Sequence, residues 1–217
     1  MNNPSPVRLG CLVSGRGRSV LNLQTCIENG SLPATIALVA STKPDVEAIR
    51  HARQRGLPCA EISDQPRKTL DDRLDDALHA AKVDLVVLAG YLRLFRVGHW
   101  VDRCLNIHPA LLPRHGGAGM WGHHVHQSVL AAGDKESGCT VHWVDDRFDH
   151  GEIVLQRRCV VEDQDTPTTL AARVFEEELV ALPEAIARVA RWRNGLASRP
   201  SSGGTIPTST AERSCNM

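Results

Sequence analysis

Asn106, Ile107, His108 and Pro109 run together as N-I-H-P. In a β-strand, that alternation puts the Asn106 amide and the His108 imidazole on one face, with Ile107 packed opposite. Side chains two strand positions apart stand roughly 6.5 Å from each other, at about 3.3 Å of rise per residue, so both can converge on one small reacting group. An amide is a fixed donor and an imidazole a titratable one; together they suit a carbonyl oxygen that gains charge while a proton moves nearby. Pro109 ends the strand and leaves the pair at its rim. Asp149, in D-H-G just after a strand that carries His142, is either a solvated loop carboxylate or an acid brought up to His108. The chain has no G-x-S-x-G elbow and no cysteine in a nucleophile motif. An Asn, His and Asp set without a nucleophile suggests direct attack of a bound amine on a bound acyl donor.

Other clusters carry weaker chemistry. Ser14-Gly15-Arg16-Gly17-Arg18-Ser19 reads as a strand-to-helix turn, which aims backbone N–H groups and the positive helix end at an anion. It matches neither the P-loop pattern nor a full G-x-G-x-x-G, since Val20 takes the third glycine's place, so a tight turn without a ligand stays open. His115, His123, His124 and His126 cluster among Gly116, Gly117, Gly119 and Gly122. Without H-E-x-x-H or a completing Cys or carboxylate, they read as loop and helix-start histidines, and no metal is expected. Asp145, Asp146 and Asp149 fail as a calcium loop, because Arg147 falls where a ligand belongs and Gln156 replaces the terminal Glu.

The elements that must position these groups follow from periodicity. Strands are expected at Arg8–Val13, Thr35–Ser41, Leu57–Ile62 and Val83–Ala89, the last aliphatic enough to be buried on both faces. Helices are expected after the glycine turn, over Val46–Gly56 and over Lys68–Lys82. Four strand–helix alternations in roughly ninety residues imply a Rossmann-like, mostly parallel α/β sheet. Beyond the N-I-H-P strand come the glycine-rich loop H-G-G-A-G-M-W-G, a helix near His123–Ala132, strands around Thr140–Val144 and Ile153–Val161, and a long helix over Thr168–Arg193. The expected division is one domain over 1–194 and a flexible Ser/Thr/Gly/Pro-rich tail over 195–217.

Lys and Arg total 25 and Asp and Glu total 25, so no global field favours nucleic acid or an anionic membrane, and any anion site must be local. Aromatic residues make up only 4%, which suits an aliphatic layered core and not a base-stacking platform. Seven scattered cysteines without C-x-x-C argue against a disulfide framework. No apolar run is long enough for a bilayer, and the N-terminus does not read as a secretory signal, so a cytoplasmic location is expected.

The segments VVLAGYLRLF, LNIHPALLP and GHHVHQSVLAAGDKESGCTVHWVDDRFDHGEIVLQ closely resemble the phosphoribosylglycinamide formyltransferases, folate-dependent formyltransferases of purine synthesis. The likeness runs from about Arg8 to about Arg193. It implies a Rossmann-like domain that moves a formyl group from 10-formyltetrahydrofolate to the amine of a phosphoribosylglycinamide, with small-molecule partners, no metal, and a monomer or weak homodimer. It implies Asn106, His108 and Asp149 as catalytic residues: Asn106 donating to the formyl oxygen, His108 as general acid and oxyanion stabiliser, and Asp149 raising the His108 pKa, with a water to relay the amine's proton. Gly17, Arg18 and Ser19 match the substrate-phosphate loop, and Glu178 matches a glutamate at the glycinamide end. Arg67, Leu92, Arg93, Leu94, Phe95, Asn106, Val144 and Asp145 match the folate side. The usual S-G-x-G-S-N is here S-G-R-G-R-S, so a small polar residue has become Arg18. The resemblance leaves two alternatives: a formyltransferase for another amine, such as an amino sugar nucleotide or methionyl-tRNA, and a non-catalytic nucleotide-binding module. Length argues against the tRNA enzyme and the formyltetrahydrofolate hydrolase, which carry extra domains.

Overall fold

Short aliphatic runs in the first hundred residues become parallel strands because each is apolar on both faces and needs covering on both. The computed structural model describes residues 5–62 and 67–201, the side chains of 67–69 excepted. Strands β1 (Val7–Val13), β2 (Ala34–Ser41), β3 (Cys59–Glu61), β4 (Leu85–Leu88), β5 (Cys104–His108), β6 (Glu136–Trp143) and β7 (Ile153–Val160) form one sheet in the order β3-β2-β1-β4-β5-β6-β7. The pairs β1–β2, β1–β4, β2–β3 and β4–β5 are parallel, while β5–β6 and β6–β7 are antiparallel. The order reverses between β1 and β4, and in open α/β sheets such a switch point opens a crevice at the carboxyl ends of the strands.

Among the described residues, five helices cover the sheet: α1 (Arg18–Glu28), α2 (Glu47–Gln54), α3 (Arg67–Ala80), α4 (His123–Ala131) and α5 (Pro167–Arg193). On one face Val20 and Leu23 of α1, Ile49 of α2, and Leu170, Val174 and Ile186 of α5 join the inward side chains of the strands. On the other, Leu70, Leu74 and Leu78 repeat every four residues along α3, the spacing of a helical stripe, and pack with Tyr91, Phe95 and Trp100. Among the described residues, no helix is long and apolar enough to cross a membrane.

Helix α5 begins with a reciprocal capping box between Thr166 and Thr169 and has Pro167 at its first turn, both favoured start signals. Pro183 lies inside it and has no N–H to offer the carbonyl four residues back. The Asn22 amide of α1 donates to that Leu179 carbonyl instead, at 2.8 Å. The swap ties α5 to α1 one residue from Glu178.

Element bounds differ from expectation in places with a physical reason. Strand β6 starts at Glu136, four residues early, because Glu136-Ser137-Gly138 lacks an aliphatic signal yet pairs with Arg158, Cys159 and Val160. A 3-10 turn at Gly98–Trp100 has no periodic signature. After Gly195, Arg199 bonds Asp102 at 2.7 Å and also Glu152. Its guanidinium lies over the Trp143 ring, while the Trp143 indole donates to the Pro200 carbonyl at 3.2 Å. The first residues of the expected tail are therefore fastened to the sheet, and residues 202–217 lie outside the described ones.

Candidate active site

Strand β5 carries Asn106 and His108 to the carboxyl edge of the sheet, and Ile107 between them joins the core beneath. The Asn106 amide nitrogen lies 3.0 Å from His142 Nε2, its cross-strand partner on β6, and donates to Asp149 Oδ1 at 3.2 Å. His142 Nδ1 faces the Trp143 carbonyl at 2.8 Å. A carbonyl only accepts, so Nδ1 carries the proton and Nε2 is the acceptor for Asn106. His108, 3% exposed, sets Nδ1 3.3 Å from Asp149 Oδ2 and Nε2 2.8 Å from the His115 carbonyl. The Gly117 N–H donates to the same Asp149 oxygen at 3.0 Å. The sequence thus left Asp149 open between two readings, and the fold puts it against both other members of the set.

Asp149 sits in the left-handed region at φ 53°, which an aspartate tolerates better than most residues. Gly151, two residues on, lets the loop return: a Cβ there would stand 1.8 Å from the Trp143 carbonyl oxygen. That close approach explains the glycine of D-H-G.

Burial alone would raise the Asp149 pKa, but the His142 and His108 imidazoles and the Gly117 N–H outweigh it, and the net shift is downward. Asp149 is therefore a carboxylate at neutral pH. For His108 the balance runs against the expectation. Burial, the largest influence, disfavours the imidazolium, and the opposing pull of Asp149 and the His115 carbonyl does not offset it, so its pKa is lowered. The expected increase considered the carboxylate and not the desolvation that comes with bringing it close. His108 starts as neutral imidazole with Nε2–H held by His115, leaving Nδ1 as the nitrogen able to take a proton.

These groups open onto a cavity of about 660 Å³ at the switch point, within the usual range of small-ligand sites. Its wall includes Gly17, Arg18 and Ser19 from the β1–α1 turn, Leu92, Arg93, Leu94 and Phe95 after β4, Val144 after β6, and Glu178 of α5. Asp145, expected on the folate side, is outside this wall, and its carboxylate is engaged by the Arg147 N–H at 2.9 Å and His150 at 2.8 Å. The Arg67 side chain lies outside the described residues.

Gly17 takes φ 73° as the residue before α1, and a Cβ there would stand 2.6 Å from the Ala48 side chain. Both the left-handed backbone and the contact with α2 require glycine. The next residue, Arg18, lays its guanidinium over the Phe175 ring, 3.7 Å from the centroid. Facing it in charge, Glu178 is pushed up to about 7 by burial, against the pull of Arg18. The wall also contains Arg16, Trp121, His126, Arg147 and Phe148, which sequence reasoning missed. Trp121 and Phe148 are exposed aromatics, and a tryptophan within a glycine-rich loop was the available signal. Arg93 Nε and His126 Nδ1 are buried without a hydrogen-bond partner among the described residues, as suits groups that await a ligand.

Glu178 yields a stability prediction. Its folded pKa lies above the ordinary glutamate value, so the stability it contributes is intact below about pH 4.5 and is lost as pH rises through about 7. Discounted for partial access to water, the cost at pH 8 is about 1–2 kcal/mol. Glu178→Gln is expected to raise Tm by roughly 3–6 °C at pH 8 and by little at pH 5. Equal melting of the two proteins at pH 8 would remove the basis for this burial cost.

A model of the family described as formyl transferase matches residues 7–186. The chain is 35% identical over 185 residues to phosphoribosylglycinamide formyltransferase of Haemophilus influenzae, covering 81% of this chain and 84% of that protein. It is 37% identical over 188 residues to the trifunctional purine biosynthetic protein adenosine-3 of Drosophila melanogaster, of whose length it spans only 14%. The solved structure of glycinamide ribonucleotide transformylase 1 from Symbiobacterium toebii superposes with a TM-score of 0.82 at 34% identity, over 88% of this chain and 91% of that one. With the sheet order, the β5 pair and these likenesses in agreement, the chain belongs to the formyl transferase family, among the phosphoribosylglycinamide formyltransferases.

Proposed function

We propose that the protein transfers a formyl group from 10-formyltetrahydrofolate to the amine of phosphoribosylglycinamide, a step of purine biosynthesis, in the cytoplasm. The observation that carries this is the meeting of Asn106, His108 and Asp149 at the rim of β5, inside the switch-point cavity. All three groups come from one chain, so the reading needs no second subunit and fits a monomer or weak homodimer. The apolar segment Leu92, Leu94, Phe95 and Val144 would hold the pterin, with the unpartnered Arg93 Nε available to it. Bound there, the folate supplies an activated formyl group. No metal enters the reading.

In the transfer, the amine nitrogen bonds to the formyl carbon and the bond from that carbon to the folate nitrogen breaks. The amine gives up one proton and the leaving nitrogen gains one. His108 Nδ1 takes the proton, and the imidazolium so formed faces Asp149, whose charge stabilises it until the proton is returned to the leaving nitrogen. Asn106 donates to the formyl oxygen as it gains charge. Both its amide hydrogens are already engaged, so donation exchanges one partner, and the 3.2 Å bond to Asp149 is the longer of the two. Glu178 meets the glycinamide end, where an approaching ammonium would restore its charge. Arg18, Ser19 and the N–H groups after Gly17 meet the phosphate.

Purified protein given phosphoribosylglycinamide and 10-formyltetrahydrofolate is expected to release tetrahydrofolate in equal amount to the formylated product. Release only with an amino sugar nucleotide, or with neither amine, would overturn the proposal. Within it, Arg18→Ala is expected to raise the KM of the phosphorylated substrate roughly tenfold or more, with the folate KM little changed, since a lost charge-assisted bond is worth about 1.5–3 kcal/mol. A change confined to the folate KM would overturn the phosphate assignment.

A further inference from the structure

The short turn His115-Gly116-Gly117 supplies a backbone group to each member of the proton-transfer pair. The His115 carbonyl accepts from His108 Nε2 at 2.8 Å, and the Gly117 N–H donates to Asp149 Oδ2 at 3.0 Å. Such a turn can orient the pair only if it is itself held. It begins with a non-glycine residue in the left-handed region, His115 at φ 57°, a conformation that persists when surrounding contacts over-determine it. Those contacts come from the His115 side chain, which is only 10% exposed. Its Nδ1 lies 2.8 Å from Ser128 Oγ of α4, and its Nε2 lies 2.9 Å from Asp134 Oδ2. Since a carboxylate accepts, Nε2 carries the proton and Nδ1 accepts from the serine hydroxyl. Arg114 bonds the other Asp134 oxygen at 2.7 Å. Gly116 sits where a Cβ would stand 2.4 Å from the Leu112 side chain and 3.2 Å from Asp149 Cβ, so the turn lies directly against the catalytic carboxylate.

We infer that His115, bolted through its side chain to Asp134 and Ser128, is a positioning residue for the transfer: it fixes the turn whose backbone holds His108 and Asp149 in register. This rests on the function proposed above. The His115 carbonyl keeps the proton of neutral His108 on Nε2 and thereby leaves Nδ1 free to receive one. An orienting acceptor behind a working imidazole is the usual means of choosing its tautomer. Neither His115 nor Asp134 needs to touch a substrate.

Asp134→Ala removes the acceptor shared by His115 and Arg114, whereas Asp134→Asn keeps an oxygen for His115. In the transfer assay the alanine variant is expected to lose roughly 10- to 100-fold in kcat, the scale of a displacement of about 1 Å, with both KM values within about twofold. The asparagine variant is expected to recover most of that kcat. Nitrogen-15 NMR of the His108 ring is expected to show one Nε2–H tautomer in the wild type and a mixture in Asp134→Ala. Should Asp134→Ala fold poorly, His115→Gly serves, since glycine takes the left-handed backbone freely but has no bolt; the same fall in kcat is expected of it. Wild-type kcat and a single His108 tautomer in a folded variant would overturn the inference. An inactive wild type would instead overturn the function itself, so the two failures are told apart.

Discussion

Asp149→Asn is expected to lower kcat by about 10³-fold or more, while the protein remains folded and still binds both substrates. The reason lies in the count of donors around one carboxylate. Asp149 accepts from the Asn106 amide at 3.2 Å and from the Gly117 N–H at 3.0 Å, and its Oδ2 faces His108 Nδ1 at 3.3 Å. A carboxylate presents acceptors on both sides, but an asparagine must turn its NH₂ toward one of them. Toward Asn106 it would set two amide nitrogens against each other, and toward Gly117 it would do the same with a backbone N–H. Either choice disturbs the site, and both remove the charge that stabilises a His108 imidazolium. Loss of an orienting carboxylate from a proton-transfer pair is typically worth about 10⁴, and loss of one oxyanion donor about 10² to 10³. The sign of the pH effect is fixed as well. Asp149 raises the His108 pKa against burial, so its removal lowers that pKa further. The acid limb of kcat/KM, below which His108 is already protonated, is expected to move to lower pH in the residual activity. A shift to higher pH would sink the assignment of Asp149.

His108→Ala is expected to lower kcat by roughly 10² to 10⁴, the usual contribution of a positioned acid–base group, with KM changed far less. The side chain is buried against the His115 carbonyl and Asp149, at the cavity floor, so its chief interaction with substrate belongs to the transition state. Truncation also empties a buried position and removes the bond to the His115 carbonyl, so a modest fall in Tm is expected beside the kinetic loss. Steady-state kinetics of the purified variant test the first part, and turnover within tenfold of wild type would show that His108 carries no proton.

Much of this geometry could be read from the chain because it depends on local periodicity. Alternation in N-I-H-P fixes which side chains share a face whatever the strand packs against, and β5 presents Asn106 and His108 together as that rule requires. The aliphatic runs of β1, β2 and β4 likewise announce buried parallel strands. What was hidden depends on contacts between distant segments. Nothing in the identity of His115 reveals that its carbonyl would meet His108, since any residue has a carbonyl. The His108 pKa was expected to rise because a charged neighbour can be inferred from sequence, whereas the burial that outweighs it cannot. The place of the Asp145 carboxylate was equally hidden, because a loop need not keep a strand's alternation: two residues past β6, it closes on the Arg147 N–H and His150.

The Arg199 clasp has a practical consequence for anyone handling the protein. Trp143, held by Arg199 and Pro200, directly follows His142, the imidazole paired with Asn106. An affinity tag or fused module joined at Arg193 would strip this buttress from the strand behind the reacting groups. One joined beyond Ser201 would leave it in place, so the junction itself decides whether the fusion reports on the native enzyme or on a loosened one.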